Sequence, residues 1–256
     1  MIERSVLEKY LNEYLRTGQY QDYGPNGLQI EGTDAIKKIA FAVSATKESI
    51  AKAVEINADA LIVHHGLFWK FHGPKVITKA FYQRVAPLIK NNINLFGFHL
   101  PLDGHIEIGN AAAIAKKLNL MNIQSFGDYK GMPTGVLGEF PTPIDNDLLK
   151  EELSQILSHN IIHSKPGPEK IKNIGIITGG ANSEWKECLN SNLDSYLTGE
   201  MSEHDWHEAK ESGIHFYAGG HNATEQFGIQ ELLKHLHHKY NDKELDFFYI
   251  PSDNPA

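Results

Sequence analysis

Short apolar runs, IKKIAFAV, ADALIVH, INLFGFH, IGIIT, DSYLT and IHFYAG, alternate along the chain with segments of helical period near residues 47–57, 78–91, 108–120, 182–190, 202–212 and 223–239. This alternation constrains the fold more than any other feature, because a helix that follows a strand carries the chain back to add the next strand in parallel. The pattern predicts an α/β protein built as two interlinked lobes, each a mixed, largely parallel sheet flanked by helices. A further helix opens the chain, with apolar residues at 2, 6, 7, 10, 11, 14 and 15 and Gly18 to close it. The Gly- and Pro-rich stretch KGMPTGVLGEFPTPIDND, residues 130–147, interrupts the alternation. It places a boundary between a first lobe, 1–128, and a second, 129–256, with the C-terminal strand DFFYI able to return to the first lobe's sheet.

Charge narrows the function classes. Asp and Glu number 32 against 24 Lys and Arg, a formal net charge of -8, which argues against a general nucleic-acid binder and against attraction to anionic lipid. The lone cysteine, Cys188, excludes an intramolecular disulfide and fits a reducing compartment; its polar helical setting reads as structural. No run reaches the roughly 18 apolar residues of a spanning helix, and MIERSVLEKYLNEYLRT lacks the apolar region of a secretory signal. A cytoplasmic protein without membrane contact is expected.

Ligands of open α/β sheets bind beyond the carboxyl ends of the strands, and the metal-capable side chains gather there. ALIVHH ends in His64 and His65; LFGFHLPLDGH carries His99, Asp103 and His105; SYLTGEMSEH carries Glu200 and His204; FYAGGHNATE carries His221 and Glu225. Adjacent strand residues face opposite sides, so His64 and His65 share a partner only if the strand stops at them and turns at Gly66. His221 and Glu225, four apart at a helix entry, share one face. His64, His65, Asp103, His221 and Glu225 together offer three imidazoles and two carboxylates. That set is too large for one catalytic zinc but right for two divalent ions about 3.5–4 Å apart sharing a carboxylate. Nitrogen and oxygen donors without thiolate suit zinc, iron, manganese, cobalt or nickel alike.

Other polar groups have two readings each. His99 is either a proton carrier or outer partner of the metals or a histidine satisfied by backbone. Glu200 and His204 are candidate acid and base, or the start of a helix capped by Ser202, whose surface takes His207 and Glu208. His235, His237 and His238 lie at a helix C-terminus, where their charge suffices as explanation. Lys70, His72 and Lys75 form a loop suited to phosphate, although the chain has no G-x-x-x-x-G-K-[ST] motif.

The segments DYGPNGLQIEG, ADALIVHHGLFWK, FGFHLPLDGH and YAGGHNATEQFGIQELLKHL resemble, in order and over essentially the full length, the NIF-three-like dinuclear-metal family of GTP cyclohydrolase 1 type 2 homologues. The likeness is to its short bacterial members without an inserted domain. The resemblance implies that His64, His65, Asp103, His221 and Glu225 bind two metal ions, that the chain forms a ring-shaped homohexamer, and that GTP is the substrate. The chain departs from many members at VSATKESI, where Ser44 and Ala45 replace an acidic turn. The leading expectation is a dinuclear metal-dependent hydrolase in which His99, Glu200 or His204 moves protons. The alternative is a non-catalytic protein that stores, delivers or senses metal or regulates a partner.

Overall fold

The periodicities resolve into two compact units, residues 1–102 with 229–253 and residues 103–228 with 254–256, in a computed structural model that describes residues 1–256. The chain begins with β1 (Ile2–Glu3), α1 (Arg4–Tyr14), β2 (Gly27–Ile30), β3 (Ala35–Ile36), β4 (Lys38–Ser44), α2 (Lys47–Glu55), β5 (Ala60–His65), α3 (Lys79–Lys90), β6 (Asn94–Gly97) and α4 (Leu100–Asp103). It continues with α5 (Asn110–Lys117), β7 (Met121–Phe126), β8 (Gly135–Asp145), α6 (Asn146–Leu157), β9 (Ile162–Ser164), β10 (Lys170–Ile176) and α7 (Glu187–Asn190). The last elements are β11 (Ser195–Thr198), α8 (Glu203–Glu211), β12 (His215–Ala218), α9 (His221–Thr224), α10 (Gln226–Lys239) and β13 (Asp246–Tyr249). Helix α1 ends before Gly18, because Arg16 takes the left-handed turn at φ 53°.

In the first unit a five-stranded sheet has the order β13-β4-β5-β6-β2, parallel except for β2. Its central strands are apolar on both faces, as burial under helices requires. Ile50 and Ala53 of α2 and Phe81, Val85 and Leu88 of α3 pack on Ala40, Ala42, Leu61, Val63 and Leu95. Helix α2 is started by a reciprocal cap: Ser49 N donates to Thr46 Oγ1 at 3.1 Å, and Thr46 N donates to Ser49 Oγ at 3.0 Å. The register sets Ser44 beside His65 and Val63 beside Gly97, so these strands finish along one edge.

The second unit holds a six-stranded sheet, β7-β8-β10-β11-β12-β9, parallel only across β10, β11 and β12. The flanking pairs are antiparallel, so this sheet is more mixed than the first. The Gly- and Pro-rich stretch lies inside this unit as β8, with Pro141 and Pro143 at the register slip between Glu139 and Ile144, where the ladder is interrupted. Side-chain alternation sends Ile174, Ile176, Leu197 and Tyr217 against α5 and α6, and Tyr196 and Phe216 to the opposite face with Trp185 and Cys188. Burial pushes the Cys188 thiol up, which makes it a core residue and no nucleophile. No helix is long and apolar enough to cross a membrane.

Candidate functional site

In the first unit the double histidine ends β5. The strand stops at them, with His65 its last residue before Gly66, and the ring centroids lie 4.5 Å apart. They converge because the ladder to β6 ends one residue earlier, at Val63, after which Phe98 N donates to Val63 O at 2.9 Å. The imidazole of the fully buried His64 fills the notch so made. Its Nδ1 lies 3.0 Å from Phe98 O, and since a carbonyl only accepts, Nδ1 carries a proton, which leaves Nε2 as the nitrogen that can serve a metal. His65 Nδ1 meets Ser44 Oγ at 3.0 Å, so the serine of VSATKESI directly contacts this ring.

His99 is organised by a residue the sequence reading passed over. Asp22, only 4% exposed, accepts at Oδ1 from His99 Nδ1 at 2.8 Å and at Oδ2 from Asn26 Nδ2 and Leu100 N, each at 2.9 Å. Burial pushes its carboxyl up, but the bonds from His99, Asn26 and Leu100 outweigh burial and hold it below the ordinary range. Asn26 Oδ1 accepts from His99 N at 2.8 Å, so the ring and its backbone are both tied to the DYGPNG turn. The ligating atoms of His64, His65 and His99 lie within 4.8 Å of one another. Trp69 stands edge-on to His99, ring centroids 5.0 Å apart. Gly66 and Gly97 make room for the Gln29 amide, which a Cβ on either would displace and which receives Leu67 N at 2.8 Å. The phosphate reading of the following loop is weakened: Lys70 Nζ donates to Asp22 O at 2.7 Å, and Lys75 lies over the Phe81 ring at 4.4 Å.

In the second unit Asp103 is buried, and its Oδ1 accepts from Asn110 Nδ2 at 2.9 Å and Thr178 Oγ1 at 3.3 Å. The Asn110 amide is itself fixed, because its Oδ1 accepts from Gly228 N at 2.6 Å. His221 stands between two carboxylates. Its Nδ1 lies 2.6 Å from Glu200 Oε1 and its Nε2 3.3 Å from Glu225 Oε2. The Glu225 carboxylate facing Nε2 is the main reason its pKa is pushed up to about 9; burial opposes this, and Glu200 adds to it. Carboxylate oxygens of Asp103 and Glu225 come within 4.8 Å of each other. Glycines after the three parallel strands make room for this group: a Cβ at Gly179, φ +71°, would meet the Glu225 carboxylate, and one at Gly199 would lie 2.6 Å from His221 Cα. Repetition of TGG, TGE and AGG after successive strands was the available signal.

The structure does not bring every candidate together. His204 is exposed and pairs with Asp205 at 3.6 Å, apart from the Glu200–His221–Glu225 chain. His105 Nδ1 accepts from Glu107 N and Ile108 N, each at 3.3 Å, as a turn cap. Ser202 stands at the α8 N-cap, but its hydroxyl accepts from Asn182 Nδ2 at 2.6 Å. His207 pairs with Glu203 and Glu208 with Lys186 on the α8 surface. His235 is more than a C-terminal charge: it stacks on Tyr14 at 4.0 Å and bonds the Tyr10 hydroxyl.

As a donor set the two groups suit divalent transition ions. Imidazoles with Nδ1 engaged by a carbonyl, a hydroxyl and carboxylates present Nε2, the usual arrangement of metal-ligating histidines, and buried carboxylates supply oxygen.

A model of the family Duf34/NIF3 (NGG1p interacting factor 3) matches residues 2–255. A protein of Pasteurella multocida strain Pm70 named "GTP cyclohydrolase 1 type 2 homolog" is 41% identical over 251 residues, 98% of each chain. One of the same name from Escherichia coli strain K12 is 38% identical over 256 residues, 100% of each. Among solved structures, one described as "Structural genomics, protein ybgI, unknown function" superposes with a TM-score of 0.90 at 38% identity, and TTHA1606 from Thermus thermophilus with 0.89 at 30%, both over 100% of each chain.

Proposed function

Because the chain belongs to the Duf34/NIF3 family, we propose that it is a dinuclear metal-dependent hydrolase acting on a small, nucleotide-like substrate. The observation that carries this reading is the Glu200–His221–Glu225 chain, with Asp103 beside Glu225, in one unit, and the double histidine, with His64 Nδ1 held by a carbonyl, in the other. His64, His65, Asp103, His221 and Glu225 are the proposed ligands of two divalent ions. When bound, such a pair supplies a water acidified toward neutral pH and a Lewis acid for the substrate's electrophilic carbon.

The protein's own groups then have distinct tasks. Glu225, with oxygens near both Asp103 and His221 Nε2, would hold metal together with them. Asn110 and Thr178 hold the Asp103 carboxylate by its Oδ1. Glu200, half exposed, orients His221 through Nδ1 and is the group placed to take up and return a proton. His204 is given no task. Homohexamer formation is part of the proposal, with light scattering as its check.

GTP is the proposed substrate on the strength of the relatives' shared name. Hydrolysis would open the guanine imidazole ring at C8 and release formate. The test is formate release from GTP by full-length protein loaded with zinc, manganese or iron, beside Asp103→Ala, with ions per chain counted in parallel. Repeated turnover that needs Asp103 supports the hydrolase. Two ions and no formate with any metal would remove GTP and favour the non-catalytic role of storing, delivering or sensing metal.

A further inference from the structure

The metal donors leave the loop that follows the double histidine without a task. From residue 60 to residue 102 the chain has no Asp or Glu, yet it places Lys70, Lys75, Lys79, Arg84 and Lys90 there, in a protein whose formal net charge is -8. We infer that this loop is the ring-recognition surface for an anionic heteroaromatic ligand, a free nucleotide, whose planar base stacks on Phe71 over Trp69. The inference deepens the proposed function and rests on it only for the reaction that the bound nucleotide undergoes.

The aromatic surface is set before any ligand arrives. Phe71 is 68% exposed and stacks on Trp69, ring centroids 5.6 Å and planes 20° apart, with His72 edge-on to it at 4.6 Å. A single exposed apolar side chain is ordinary. This one rests on an indole that is itself held, since Trp69 Nε1 donates to Gly66 O at 3.2 Å. Between the two rings, Lys70 N donates to Tyr23 O and Lys70 Nζ to Asp22 O, each at 2.7 Å, which pins the segment to the DYGPNG turn. A face held in this way loses less freedom on binding than a mobile one. The Trp69 ring lies 6.0 Å from that of His65 and 5.0 Å from that of His99, so a ligand on the stack adjoins the proposed metal donors. Charge then selects among planar ligands. Lys75 Nζ lies 3.4 Å from His72 Nδ1, and Lys79 opens α3. With Lys70 bonded to a carbonyl and Lys75 over the Phe81 ring, these cations act as a local positive field, which draws phosphates from up to about a Debye length away. An apolar partner gains nothing from that field, whereas a nucleotide uses both the field and the stack.

The test titrates zinc-loaded full-length protein by calorimetry with GTP, guanosine and inorganic tripolyphosphate, while tryptophan fluorescence reports stacking at Trp69 and elemental analysis counts ions. Phe71→Ala is expected to weaken GTP and guanosine alike by about 5–150-fold, the range for loss of one base–aromatic stack, and to leave tripolyphosphate affinity and ion content unchanged. Phe71→Trp should restore both affinities. Lys75→Glu/Lys79→Glu should weaken GTP and tripolyphosphate but not guanosine, by a factor that shrinks as salt is raised. All three positions are exposed, so these variants should melt as wild type does. Nucleotide affinities that ignore Phe71, or a wild type that binds tripolyphosphate but no guanosine, overturn the inference. So does a single-stranded oligonucleotide bound through Phe71 that neither GTP nor guanosine displaces. A smaller particle by light scattering in Phe71→Ala, at unchanged nucleotide affinity, would seat a second copy of the chain on the ring and also overturn it. Phe71-dependent binding without formate release upholds the ring surface and removes the hydrolase; formate release at an unchanged KM in Phe71→Ala does the reverse.

Discussion

Raising the pH from about 6 to about 9 is expected to tighten metal binding at His221 steeply, because the ion competes with a proton there. Without metal, Nδ1 faces Glu200 Oε1 at 2.6 Å and Nε2 faces Glu225 Oε2 at 3.3 Å, and both partners only accept, so the ring holds both protons. The nearby Glu225 carboxylate is the largest cause, burial opposes it, and the balance pushes the pKa up to about 9. Coordination needs the Nε2 lone pair. Affinity should therefore rise about tenfold per pH unit below 9, or about 100-fold between pH 7 and pH 9, with close to one proton released per ion at pH 7. Calorimetric zinc titrations in two buffers of different ionisation enthalpy, at several pH values, read both quantities. Glu200→Gln removes one of the two carboxylates, so the rise should shift to lower pH, while affinity at pH 9 falls by about 10–100-fold as the ring loses its outer partner. Flat affinity across this range, without proton release, would refute the reasoning.

Three further outcomes follow from the packing. Gly179→Ala places a Cβ in a left-handed conformation and against the Glu225 carboxylate, so stability should fall by at least about 1–2 kcal/mol and metal affinity with it; a variant that melts and binds like wild type would contradict the crowding. Asn110→Ala removes the acceptor of Gly228 N and the donor to Asp103, and urea unfolding should show a loss of about 1–3 kcal/mol. His163, bonded to His215 at 3.0 Å and stacked on Tyr217, has its pKa pushed down to about 4, first by burial and then by His215. Between that value and the ordinary 6.5 the unfolded chain binds more protons, so stability should fall as pH drops through this window, by roughly 1–2 kcal/mol after allowance for partial exposure. In His163→Gln the urea midpoint should change less between pH 7 and pH 4.5, and an undiminished fall would assign it to other groups.

Strands β4, β5, β10, β11 and β12 were legible because each is a short apolar run whose burial demands that composition wherever the strand ends up. The metal-capable donors at the ends of those strands were legible for a related reason: His64, His65, His221 and Glu225 sit where apolar periodicity stops, and that break is local. Strands β7 and β8 and helix α6 were not, because the prolines and glycines of 130–147 mimic a linker, and only pairing on both sides makes β8 a strand. The supports of the site were hidden for a deeper reason. Asp22 and His99 are 77 residues apart, and Asn110 and Gly228 are 118 apart. Hydrogen bonds across such separations follow no period and leave no local mark; they exist because sheet register and helix packing bring the backbone turns together. The amino-acid sequence alone thus settled the kinds of element and the donor types at their ends. Ring tautomers, carboxylate planes and the identity of each outer partner were decided by tertiary packing, since a donor acquires an acceptor only when the fold brings both to within about 3 Å.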